Sequence, residues 1–153
     1  MLGTVTSPPK TYSEWANIFD MLKNKTDDDA VLSAMHKGTV EWQTGVAERF
    51  AKKLIDAINF RMNAASDKFQ KDMTRSNGQE REIVPALLSL RKEFCFLSKA
   101  VNLPAIPEND RNRYLQLVLD QANSVQSSLE DSAKKDRSGK LASIVRNNKV
   151  NVF

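Results

Sequence analysis

The sequence predicts an all-α protein of about five helices packed as a helical bundle, and three observations carry that expectation. Apolar residues recur at intervals of three or four along most of the chain, the period of one helix face. The breakers are few and grouped: among 5 Gly and 5 Pro, most fall at Gly3 with Pro8 and Pro9, at Gly78, at Pro104 with Pro107 and at Gly139. A chain of 153 residues with 41% hydrophobic and 27% charged residues has the make-up of one folded domain with a real core.

Residues 1–10 read as a flexible leader, since Thr4, Thr6, Ser7 and the Pro8-Pro9 pair favour turn or polyproline geometry with little to bury. The helical bundle domain is expected over 11–133. Thr11 stands three residues before Glu14 in the spacing of a capping box, and Trp15, Ile18, Phe19 and Leu22 follow at helical intervals, placing a first helix over 12–24. Thr26 with Asp27, Asp28 and Asp29 starts a second. Three adjacent carboxylates suit a first turn, where the helix dipole favours negative charge, better than a Mg²⁺ or Ca²⁺ site, because consecutive helical residues point about 100° apart. Val31, Leu32 and Met35 form its buried side, and Gly38 ends it.

The third helix is expected over 39–76, where Trp42, Val46, Phe50, Leu54, Ile58, Met62, Ala65, Phe69 and Met73 share one face without a proline. Such a rod would be about 50 Å long. Ser76-Asn77-Gly78 is a stop and turn, after which Ile83, Leu87, Leu90, Phe94, Leu97 and Val101 give a fourth helix over 80–102 the narrow apolar seam of antiparallel bundles and coiled coils. Pro85 should start or kink it. The third and fourth helices therefore form an antiparallel hairpin. Pro107 with Glu108 and Asp110 suits the opening of a fifth helix, with Tyr114, Leu115, Leu117, Val118, Ala122, Val125 and Leu129 inward and a surface of Asn, Gln and Ser. It is expected to fray after Asp131, leaving 134–153 as a basic, mobile tail.

The sequence excludes more chemistry than it suggests. His36, the sole histidine, lies in the last helical turn before Gly38 and has no second histidine or cysteine at metal spacing. Cys95 stands among Phe94, Phe96 and Leu97, the setting of a buried, inert thiol, and as the only cysteine it cannot form an internal disulfide. No phosphate loop, H-E-x-x-H, C-x-x-C or G-x-S-x-G motif occurs. No catalytic residue, metal or cofactor is assigned, and the protein is read as not an enzyme. No stretch has the 18 or more apolar residues that cross a bilayer, and the start lacks a signal-peptide pattern, so no membrane partner is expected and the default compartment is cytoplasmic.

Two charge patterns remain. Arg49, Lys52, Lys53, Arg61, Lys68, Lys71 and Arg75 decorate the long helix, but Glu48 with Lys52, Asp67 with Lys71 and Lys68 with Asp72 are opposite charges at i and i+4, which makes a solvated face the better reading. Trp15 and Trp42 fall on apolar positions and read as core anchors. The tail differs: Lys134, Lys135, Arg137, Lys140, Arg146 and Lys149 against Asp136 alone give it +5, while the whole chain is +4 and the rest therefore −1. Those six residues are the candidates for nucleic-acid or anion contact. The expected function is that of a non-enzymatic helical interaction protein, an adaptor, inhibitor or assembly subunit that binds a protein partner. The alternative is a DNA- or RNA-binding regulator that uses the tail. A homo-oligomer is also expected, because the long rod outruns its neighbours and leaves part of its apolar stripe uncovered.

Overall fold

The computed structural model describes residues 7–153, so most of the expected leader, 1–6, lies outside the described residues. Six helices occur among them: α1 (Tyr12–Lys23), α2 (Asp28–Lys37), α3 (Val46–Ser76), α4 (Glu80–Val101), α5 (Glu108–Ala133) and α6 (Lys140–Asn147). The fold is all-α, with α3 packed against α4 as the helical hairpin of a bundle. None of these helices is long and apolar enough to cross a membrane. The contacts group into two units, one running to Arg61 with Lys99–Leu115, the other comprising Met62–Ser98 and Gln116–Phe153.

The first unit is built on an aromatic cluster. Trp15, Phe19 and Phe50 are buried, with ring centroids 5.1 to 5.6 Å apart, and two of the three pairs meet edge to face. The Trp15 indole N–H donates to the Thr39 carbonyl at 2.7 Å. The expected capping box starts α1: the Glu14 amide donates to Thr11 Oγ1 at 3.2 Å and the Thr11 amide to Glu14 Oε1 at 3.0 Å. The Thr11 amide first, and then the Lys10 amide, which also donates to Glu14 Oε1 at 3.0 Å, lower the Glu14 carboxyl below its ordinary range. Gly38 fits where no side chain can, since a Cβ there would meet Trp15 Cζ2 at 2.7 Å and Pro9 Cγ at 2.9 Å.

The long helix starts at Val46, seven residues later than expected. Residues 39–45 take another course because their amides find other partners: Thr39 donates to the Pro9 carbonyl at 3.0 Å and Glu41 to that of Lys10 at 3.2 Å. Gly45 then turns through a left-handed φ of 83°. Trp42 is consequently not a helical core anchor. It is 45% exposed and lies edge-on against Phe50 at 5.3 Å.

A second correction concerns Arg61, expected on the solvated face of the long helix. It is 1% exposed. Its Nη1 and Nη2 each donate to one oxygen of Asp28 at 2.9 Å, and Nη1 also donates to the Leu22 carbonyl at 3.0 Å. That carbonyl belongs to the last turn of α1, where intrahelical partners run out. Asp27, not Thr26, caps α2, accepting from the Ala30 amide at 3.3 Å.

In the second unit, Ile83, Leu87, Leu90, Phe94 and Leu97 of α4 are all buried, as their spacing predicts, and so are Met62 and Phe69 of α3. The turn between the helices places Asn77 at a left-handed φ of 51°. Pro85 lies inside α4 rather than at its start.

The fraying tail expected after α5 is the third correction, and it raises the helix count to six. Residues 140–147 form α6, and Ile144, Val145 and Val150 are buried. Eight residues cannot hold a helix by propensity alone, so packing of that apolar face sustains it. Gln126, itself 4% exposed, closes the segment down by accepting from the Val150 amide at 3.0 Å while donating to Glu130 Oε2 at 3.0 Å.

Candidate functional site

The six basic residues expected to contact nucleic acid are all exposed. Lys134 and Lys135 follow the end of α5, Arg137 lies in the next turn, Lys140 opens α6, Arg146 lies in its last turn and Lys149 follows it. The fold splits them, with three before α6 and Lys140 at its first residue, and two at its far end, about 12 Å of helix away. Lys140 and Arg146 are six positions apart, roughly 120° around the helix, so they share no face. Lys134 approaches Asp131 at 3.6 Å, and among the described residues the other five are in no ion pair.

Asp136, the lone acid among them, has a structural task. Gly139 at the start of α6 has no side chain to offer, and Asp136 accepts from the Leu141 amide at 3.0 Å and from the Ser138 hydroxyl at 2.9 Å. The Leu141 bond, with those from Ser138, lowers its carboxyl below the ordinary range.

A groove in the second unit is the more developed feature. It encloses about 560 Å³ between the later turns of α3 and α5. Ser66, Gln70 and Thr74 line the α3 wall, and Gln121, Ser124, Ser128 and Ser132 the α5 wall. The floor is hydrocarbon, supplied by Phe69, Met73, Val125 and Leu129, with Leu90, Leu141 and Val145 beneath. The local sequence explains this shape. Ser124, Ser128 and Ser132 recur every fourth residue, so one stripe of α5 carries only short hydroxyl side chains, while Val125 and Leu129 on the adjacent stripe are half-buried. The tail that was expected to fray instead closes the floor. The lining includes no carboxylate, imidazole, thiol or amine, so the groove offers apolar contact and neutral hydrogen bonds. The Ser66 hydroxyl is shielded from solvent and has no hydrogen-bond partner.

Beside the α3 wall lies a shallower depression lined by Asp67, Lys71 and Arg75 together with Gln70 and Thr74 of the groove. Lys68 pairs with Asp72 at 2.8 Å as the i, i+4 spacing predicts. The Asp67 to Lys71 pair does not form, and Lys52 pairs with Asp56 at 3.2 Å rather than with Glu48. Among the described residues Lys71 and Arg75 are in no ion pair.

His36 and Cys95 add no cluster to this site. His36 Nε2 lies 3.2 Å from the Lys99 carbonyl, and Cys95 is a free, half-buried thiol. Among the described residues no group of three or more His, Cys, Asp or Glu is placed to hold a metal ion.

The Asp136 cap sets a pH dependence. A carboxyl whose pKa is depressed on folding stabilises the fold fully above its unfolded value of about 3.9, and that stability is lost as the pH falls through the folded value. Asp136→Asn should therefore be less stable than wild type at pH 6 in denaturant melts, with the gap narrowing below about pH 4. A gap that stays constant down to pH 2.5 would refute the cap.

No protein family, characterised protein or solved structure matches the chain.

Proposed function

We propose that this chain is a non-enzymatic helical interaction protein, an adaptor, inhibitor or assembly subunit, that binds a protein partner through the groove between α3 and α5. The observation that supports this reading is the groove itself: a concave, uncharged trough of about 560 Å³ with an apolar floor and short polar walls. Its residues are suited to burial against another surface, and its serine and threonine hydroxyls have no base in the lining to activate them.

A photo-cross-linker at the exposed rim residue Ser128 tests it in the source organism. It should give a discrete protein adduct that the same probe at Ser89, an exposed position outside the groove lining, does not give. Equal labelling at both positions, or none at Ser128, would reject the groove as the docking site.

Homo-oligomerisation belongs to the same proposal. Trp42 and Phe60 in the first unit are 45% and 50% exposed, large apolar side chains that a second copy could cover. Light scattering at tens of micromolar should give at least a dimer mass, and a monomer mass would remove this part.

One observation supports the alternative, a DNA- or RNA-binding regulator: five of the six tail cations are exposed and without an ion pair among the described residues. With about three to five phosphate contacts, the log-log slope of affinity against salt would be about −2 to −4.5. Because α6 packs into the second unit, charge reversal at the exposed Lys135, Arg137 and Lys140, and not truncation, is the clean control. Absence of nucleic-acid binding at about 50 mM salt eliminates this reading.

A further inference from the structure

We infer that the occupant of the groove is an amphipathic helix of two to three turns whose apolar stripe is bordered by carboxylates; this rests on the groove being the docking site.

Length and shape point to a helix. The α3 wall from Ser66 to Thr74 is about 12 Å long and the α5 wall from Gln121 to Ser132 about 16 Å at the standard helical rise. A helix that anchors through apolar residues at i, i+3 or i+4, and i+7 presents about 10 Å of stripe, which fills such a trough. Both walls are helices whose backbone groups bond within themselves, so an incoming strand would find no edge to extend. Polyproline ligands dock between aromatic side chains, and the groove lining has one, the largely buried Phe69. The short Ser124, Ser128 and Ser132 side chains leave room for a helix backbone to approach the floor of Met73, Val125 and Leu129.

Charge sets the chemistry of the border. The groove lining is uncharged, and the cations beside it, Lys71 and Arg75, share Gln70 and Thr74 with its α3 wall. Both are exposed and without an ion pair, and Asp67 is the only acid in that depression. A helix lying in the groove brings the residues flanking its stripe against these two cations, so Glu or Asp there is attracted and Lys or Arg repelled.

The test is selection of a displayed library of helix-forming peptides about 15 residues long on the full chain. Enriched peptides should carry apolar residues at i, i+3 or i+4, and i+7 with Glu or Asp beside them. The double variant K71E with R75E should weaken a selected peptide about fivefold or more, given two charge contacts. S128W and, independently, T74W should block it while keeping the wild-type melting temperature, since both positions are exposed. The inference is overturned if no peptide is enriched, if enriched peptides are proline-rich or lack acids, or if they bind S128W and T74W as well as wild type. Self-association through the groove that acidic peptides do not compete away overturns it too. A host partner cross-linked at Ser128 through a lysine-rich helix would defeat this inference and leave the docking reading intact; no adduct at Ser128 would defeat the docking reading itself.

Discussion

A buried guanidinium with no means of losing its charge has to be given hydrogen-bond acceptors, and in the first unit that requirement falls on Arg61. Its fork takes both oxygens of Asp28 and the Leu22 carbonyl, so one side chain on α3 fixes where α1 ends and where α2 begins. Asp28 remains 34% exposed, which spares one half of the pair part of its desolvation cost. The arrangement also divides the labour of the three aspartates: Asp27 caps the helix, Asp28 meets the guanidinium, and Asp29 lies exposed in the first turn near the positive end of the dipole. Removing one partner from a buried pair typically costs about 3 to 5 kcal/mol, a large part of a small domain's stability.

The second unit solves its polar accounting with one amide side chain and one carboxylate. Gln126 holds the Val150 amide, and Asp136 supplies the cap that Gly139 cannot. These two contacts secure the ends of a helix too short to persist alone, and through it Leu141 and Val145 reach the floor of the groove. The proposed docking surface therefore depends on a segment whose charge invites a different reading. Its cations face solvent while its apolar residues complete the trough.

Much of the architecture was legible because period and breakers agree. The seam of α4, the capping box of Thr11 and Glu14 and the stop at Ser76 to Gly78 all rest on local rules that tertiary context did not override. The two larger misreadings share a cause: the residues' fate was decided by a partner distant in sequence. Arg61 looks like surface charge until Asp28 lies beside it, and 39–45 continues a helical pattern until Pro9 and Lys10 claim its amides. The last helix lacks an adjacent cap, so a reading by nearest neighbours misses it. The groove left one faint signal, the fourfold spacing of Ser124, Ser128 and Ser132 beside Val125 and Leu129. What made that signal a site was the approach of α3 and α6, which no single helix encodes.

A double-mutant cycle between Arg61 and Asp28 tests the organising role of the fork most directly. Arg61→Met keeps the hydrocarbon volume, Asp28→Ala removes the acceptor, and the double variant removes both without stranding either charge. Denaturant unfolding of the four proteins should give a coupling of about 1 to 3 kcal/mol, with the double variant more stable than the two single losses sum to. Losses that add within error would mean that the two side chains do not depend on each other, and the first unit would owe the junction of α1 and α2 to its apolar packing alone.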